Sequence, residues 1–254
     1  MAHPIPLFLV GMAAGTLGAL LGLGGGAVIV PCLALIPYFH ITMHEAIAAS
    51  IVGVLMTSLG GSARYIDEGF TDIRLGMLLA LGTTAGAVLG SLASHAIRNN
   101  VLEIMFSVIL VYASYEMIRR QSTTDTAPGN YRHYSAGIML TGISGVVAGM
   151  LGVGGGAINV PVMHLIMDVP VKVTAATSNF MIGATASAAV LVYLLKGSIN
   201  FSIAVPVGLG VFIGAKLGAS QLKRIDPALL KRIFAAVLLV IAAEMLYQAM
   251  KVYL

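Results

Sequence analysis

The chain has 254 residues, 58% of them apolar and only 9% charged, with a net charge of +4 and a mean hydropathy of +0.96. Soluble proteins average about 25% charged residues, so a water-soluble globular domain is excluded: so few charges could not cover its core. The lone cysteine, Cys32, excludes an intramolecular disulfide. A small positive charge without a polybasic tail excludes nucleic acid as a partner and points to membrane topology instead.

The expected fold class is therefore an all-α, polytopic membrane protein. Met1 to Pro6 lacks the basic region of a cleavable signal peptide and leads straight into apolar sequence, as an uncleaved span does. Residues 5–39 form a long apolar block interrupted by glycines. Residues 45–63, 73–97 and 101–118 each suit one spanning helix of about 20 residues. A polar linker, 119–133, separates these from residues 134–168, a second interrupted block. Three further spans follow at 173–195, 201–222 and 228–250. The expected organisation is a first repeat over 1–118, the linker 119–133, and a second repeat over 134–254.

Each long block contains the same motif. Residues 21–31 read Leu-Gly-Leu-Gly-Gly-Gly-Ala-Val-Ile-Val-Pro, and residues 151–161 read Leu-Gly-Val-Gly-Gly-Gly-Ala-Ile-Asn-Val-Pro. Each glycine costs a helix roughly 1 kcal/mol relative to alanine, so Gly22 to Gly26 and Gly152 to Gly156 read as breaks, with Pro31 and Pro161 completing the motif. Similarity extends further. Gly22 and Pro31 match Gly152 and Pro161 at an offset of 130. Ser50 matches Ser178 at an offset of 128, as Gly69 does Gly197, and Gly82, Gly86 and Gly90 match Gly210, Gly214 and Gly218. A duplication follows, and internal repeats of this kind mark transporter folds.

Basic residues orient the repeats by the positive-inside rule. If each long block crosses once, the two faces collect seven and six basic residues, which is no bias. If each block enters and returns at its glycines, one face carries Arg64, Arg74, Arg119, Arg120, Arg132, Lys172, Lys223, Arg224, Lys231 and Arg232, against Arg98, Lys196 and Lys251 on the other. The hairpin arrangement is preferred. It makes the halves inverted repeats, with both termini outside, the linker cytoplasmic, and the two breaks meeting near the bilayer midplane.

Helix N-termini present unpaired amides and roughly half a positive charge, a ready anion site. Gly24, Gly25 and Gly26 with Gly154, Gly155 and Gly156 would offer such amides. Ser50, Thr177, Ser178 and Asn179 would add hydroxyl and amide contacts, the alternative being that they bond only to neighbouring backbone. Two asymmetries stand out. Lys216 is a charge inside an apolar span where the first half has Val88; it is either a charge partner for a ligand or a side chain snorkelling to the span end. Asn159 stands where the first half has Ile29.

Enzymatic signatures are missing. Gly22 to Ala27 superficially resembles a dinucleotide fingerprint, but no βαβ unit surrounds it. There is no metal-ligand spacing and no Gly-x-Ser-x-Gly elbow. An enzyme is not expected, nor a cofactor or metal.

The paired Gly-x-Gly-Gly-Gly motifs, each with its proline, resemble the TauE/SafE sulfite exporter family. Ala48-Ala49-Ser50 and Ala176-Thr177-Ser178 resemble the Gly-Thr-Ser that commonly follows, with alanine replacing glycine in both and threonine absent from the first. The resemblance covers essentially the whole chain. It implies transport of sulfite, sulfoacetate or a related organosulfonate across the bacterial inner membrane, with the lipid bilayer and a coupling ion, proton or sodium, as partners. A passive anion channel and a non-transporting membrane scaffold are the alternative readings.

Overall fold

The computed structural model describes residues 4–35, 41, 43–93, 107–108, 111, 114–115, 118–119, 133–152 and 154–251. Most of the expected span 101–118 and all of the linker 119–133 but its two end residues fall outside the described residues. Within them the secondary structure is helical throughout: α1 (Pro4–Leu21), α2 (Gly26–Leu35), α3 (Met43–Asp67), α4 (Ile73–Ala93), α5 (Tyr134–Leu151), α6 (Gly156–Pro161), α7 (Val171–Leu195), α8 (Phe201–Leu222) and α9 (Pro227–Lys251). A π-helical turn, Val162–Ile166, continues α6. Six of the helices are long and apolar enough to cross a membrane. Large apolar side chains such as Leu81, Leu89, Leu195, Leu209 and Leu217 face outward, as a lipid-facing surface requires.

The glycine motifs end α1 and α5 and restart the chain. Gly22, Gly24 and Gly25 have φ of +70°, +78° and +75°, and Gly152, Gly154 and Gly155 have +71°, +82° and +74°. This left-handed backbone costs an L-residue roughly 1–2 kcal/mol, so glycine is needed at each. Leu23 donates its amide to Gly18 O at 2.9 Å, and Gly152 to Ala148 O at 2.9 Å, closing the two helix ends. The chain then doubles back. A Cβ placed on Gly25 would stand 3.0 Å from Ala14 O, and one on Gly155 would stand 3.4 Å from Ala148 Cβ.

The remaining helix ends obey local chemistry too. Asp72 caps α4 by accepting from Leu75 N at 3.0 Å, and its counterpart Asn200 caps α8 by accepting from Ser202 N at 3.2 Å. Gly69 and Gly197 close α3 and α7, donating to Ile66 O and Leu194 O at 3.0 Å each.

Packing interlocks the two halves. In α8, a Cβ on Gly210, Gly214 or Gly218 would collide with the carbonyl of Phe8, Met12 or Thr16 in α1. In α4, one on Gly86 or Gly90 would collide with the carbonyl of Gly142 or Val146 in α5, and one on Gly82 would stand 3.5 Å from Ile138 O. These two sets are the same contacts, related by the offsets of 130 and 128. Both pairs run parallel, and both join a helix of one half to a helix of the other. Small residues that let backbones approach are the usual basis of association within a bilayer.

The interface predicts a contrast within α8. Gly214→Ala drives a methyl into the Met12 carbonyl and is expected to lower stability by about 1–3 kcal/mol. Gly208→Ala meets only Met56 Cγ at 3.4 Å and Val52 Cγ1 at 3.6 Å, and is expected to leave stability unchanged or raised. Thermal unfolding of the detergent-purified variants checks this; equal melting temperatures would overturn the packing account.

Candidate functional site at the paired glycine breaks

A helix break inside an apolar protein leaves carbonyls without partners, and hydroxyls on α3 and α7 answer them. Ser50 donates to Gly152 O at 2.8 Å, and its counterpart Ser178 donates to Gly22 O at 2.7 Å. Each serine therefore holds the break of the other half. Tyr65 donates to Ala19 O at 2.8 Å, and its counterpart Tyr193 to Gly149 O at 3.4 Å. Each tyrosine holds the helix end of its own half. Thr57 adds a bond to Gly24 O at 2.8 Å and Ser144 one to Gly155 O at 3.1 Å. Ser50, Ser178, Thr57, Ser144 and Tyr65 are all fully buried.

These bonds bring the two breaks into contact. A Cβ on Gly26 would stand 2.7 Å from Gly152 O, and one on Gly156 would collide with Gly22 O. Val54 and its counterpart Ile182 fill the space beside them: Val54 Cγ1 lies 3.0 Å and 2.7 Å from Cβ positions built on Gly24 and Gly154, and Ile182 Cγ2 lies 3.2 Å from that on Gly24. Beside them lies a small cavity lined by Ile51, Val54, Ala87, Ala148, Gly149, Gly154, Thr185, Ala186 and Ala189, with about 10 Å³ of free space, room for about one water. A larger cavity of about 380 Å³ borders Ala27 and Val28 at the opening of α2.

The amides of Gly25, Gly26 and Ala27 open α2, and those of Gly155, Gly156 and Ala157 open α6. None has an acceptor among the described hydrogen bonds. Asn159, on α6, is 1% exposed and its Oδ1 has no partner; Asn179, on α7, is 0% exposed and its Oδ1 has none either.

The other expected residues lie elsewhere. Thr177 turns toward α4 and accepts from Asp72 N at 3.0 Å. Lys216 is not brought to the breaks: it sits on the exposed face of α8, with Nζ 5.0 Å from the centre of the Phe212 ring. Pro31 lies within α2, and Pro161 ends α6. Tyr65, Tyr193, Ser144 and the Val54–Ile182 pair are the residues that sequence reasoning missed. The offset of 128 relates Tyr65 to Tyr193 and Val54 to Ile182, and was the signal available for them. No group of three or more His, Cys, Asp or Glu is placed to hold a metal among the described residues.

Loss of either serine hydroxyl strands a buried carbonyl. Ser178→Ala and Ser50→Ala are each expected to lower stability by about 0.5–1.5 kcal/mol. Ser220→Ala, which removes an exposed bond to Leu217 O, is expected to do nothing measurable. Detergent melting curves decide; a silent Ser178→Ala would remove the serine from its fastening role.

Comparison with known proteins finds membrane transporters similar over nearly the whole chain. The chain is 28% identical over 264 residues to the "Probable membrane transporter protein YunE" of Bacillus subtilis (strain 168), covering 95% of this chain and 97% of that protein. It is 22% identical over 231 residues to "Probable membrane transporter protein YdhB" of the same organism, covering 89% and 91%. With "Probable membrane transporter protein MJ0441" of Methanocaldococcus jannaschii the identity is 24% over 253 residues, covering 94% of each. No solved structure matches the chain. Residues 7–245 match the family described as "Sulfite exporter TauE/SafE", and with its membrane-spanning helices and matching relatives the chain belongs to that family of membrane transporters.

Proposed function

We propose that the chain is a secondary transporter of a small sulfur-containing anion, sulfite, sulfoacetate or a related organosulfonate, bound between the two glycine breaks near the bilayer midplane. The observation that carries this reading is the meeting of two broken helices, whose opening amides at Gly25 to Ala27 and Gly155 to Ala157 have no acceptor among the described hydrogen bonds. Such amides suit an oxyanion. The family name supplies sulfur as the chemistry to test first.

Residues 1–118 and 134–254 act as inverted repeats in the bacterial inner membrane, with both termini outside and residues 119–133 in the cytoplasm. Transport proceeds by alternating access, one repeat rocking against the other. With the breaks in contact Ser50 and Ser178 spend their protons on the carbonyls of Gly152 and Gly22. When the breaks separate, those hydroxyls become free to meet the anion, so the two serines serve as latches in one state and contacts in the next. The glycine-lined pairs α1–α8 and α4–α5 can slide with little side-chain repacking. A proton or sodium ion couples the movement.

Thermal stabilisation of the detergent-purified protein tests the reading, against sulfur anions, carboxylates, phosphate and cations. One sulfur anion is expected to raise the melting temperature with concentration, stabilising the protein by about 1.4 kcal/mol at ten times its dissociation constant. Gly155→Leu, which forces leucine into φ +74°, is expected to abolish that shift and the matching flux in proteoliposomes while the protein still inserts. Stabilisation by cations alone, or wild-type flux in Gly155→Leu, would overturn it. Flux that never saturates would make the chain a channel.

A further inference from the structure

The repeats place equivalent residues on the two sides of the Val54–Ile182 contact, and the two sides differ in polarity. On one side α3 and α7 hold a row of polar groups. Asn179 Nδ2 donates to Ser62 Oγ at 3.3 Å, and Ser62 Oγ shares a hydrogen bond with Ser58 Oγ at 3.2 Å. Two glycines make room for them: a Cβ on Gly61 would stand 2.9 Å from Asn179 Nδ2, and one on Gly183 would collide with Ser58 Oγ. Ser62 is half-buried, Ser58 is 5% exposed and Asn179 0%. The row thus leads inward, toward Thr57 and the Gly24 carbonyl it holds.

On the other side the offset of 128 puts Ala186 in place of Ser58, Val190 in place of Ser62 and Ile51 in place of Asn179. Ala189 and Leu55 stand for the two glycines. Ile51, Ala186 and Ala189 line the one-water cavity. One half of the duplicated scaffold is polar where the other is greasy.

The polar row has hydrogens to spare. Two hydroxyls and a carboxamide carry four between them. Two hydrogen bonds join the three groups and use two; no other bond from these side chains is present among the described residues. Two donor hydrogens remain, one on Asn179 Nδ2 and one on a serine hydroxyl. A buried polar group in that condition costs free energy unless something completes it.

Resting on the anion reading above, we propose that Ser58, Ser62 and Asn179 form an oxyanion subsite on the route to the glycine breaks, and that the Ile51–Ala186–Val190 side stays dry. The ligand class is a small oxyanion, held by neutral O–H and N–H donors. The two free donor hydrogens match the acceptor oxygens of such an anion, and the nearby carbonyls of Gly22 and Gly24 already accept from Ser178 and Thr57. The route is therefore one-sided although the scaffold is duplicated.

Thiol accessibility in proteoliposomes tests it. In a Cys32→Ser background, Ser62→Cys and Ser58→Cys are compared with the mirror variants Val190→Cys and Ala186→Cys. The probes are a sulfonate-bearing and a trimethylammonium-bearing methanethiosulfonate. Ser62→Cys is expected to react about tenfold faster than Val190→Cys, because attack needs an accessible thiolate. The sulfonate probe should outpace the ammonium probe there, and sulfoacetate should slow it. Equal rates on the two sides, or faster ammonium labelling at Ser62→Cys, overturn the subsite; Ser58→Cys against Ala186→Cys decides where Ser62→Cys fails to fold. Asn179→Ile, which installs the other half's residue, is expected to keep the melting temperature and cut sulfoacetate uptake about tenfold or more, the loss of one hydrogen bond to a charged ligand. Wild-type uptake in that variant also overturns it. Absent sulfur-anion flux in the wild type, with the labelling contrast intact, would count against the transported substrate and leave the polar route standing.

Discussion

Within hydrocarbon a backbone N–H or C=O left without a partner is costly, because no water stands ready to take its place. The glycine breaks put this constraint at the centre of the molecule. Each break strands the last carbonyls of a long helix, and each stranded end is met from two directions. Ala19 O takes Tyr65 from its own half, while Gly22 O takes Ser178 from the other. Gly149 O and Gly152 O repeat the scheme with Tyr193 and Ser50. The stranded carbonyl end of one repeat is thereby met in part by the other.

That requirement also explains the packing around it. A serine hydroxyl reaches only about one hydrogen-bond length beyond its helix, so α3 and α7 must lie close against the opposite break. Close approach is supplied by glycine. Gly26 faces Gly152 O and the Ser50 hydroxyl, and Gly156 faces Gly22 O and Leu23 Cα, each with no room for a Cβ. The parallel pairs α1–α8 and α4–α5 extend the same logic outward, with glycine on one helix against carbonyl on the next. Glycine serves in two ways here, through positive φ at the breaks and through missing volume along the spans.

Much of this was legible in the sequence. Composition alone demanded membrane helices, and runs of three glycines located the interruptions, which fall at Gly22 to Gly25 and Gly152 to Gly155. The two offsets that signalled duplication also relate the contacts of α1–α8 to those of α4–α5. What stayed hidden was pairing between halves, since local pattern does not say which distant helix a glycine face meets. Ser50 and Ser178 were recognisable as polar groups near the breaks, but nothing local identified a carbonyl of the opposite repeat as their partner. The orientation of Lys216 was readable in principle. It lies two residues from Gly214 and Gly218, and side chains two apart on a helix point to opposite faces; a lysine between glycines that face α1 must turn away from α1.

A duplicated scaffold carries its own control experiment, because positions that both halves share are those the fold needs twice. The breaks, the serine pair, the tyrosine pair and the Asp72–Asn200 caps belong to that shared set. Asn159 and Asn179 do not. Both are buried with an unpartnered amide oxygen, and in the other half both positions hold isoleucine, at 29 and 51. Ile29 is 0% exposed and Ile51 3%, so an apolar side chain fills the equivalent environment without leaving any polar group unpaired. Each asparagine then carries an unsatisfied amide oxygen, at a cost of about 1–3 kcal/mol, where the repeat-related position holds isoleucine; an oxygen of this kind only accepts, so the partner it lacks is a donor.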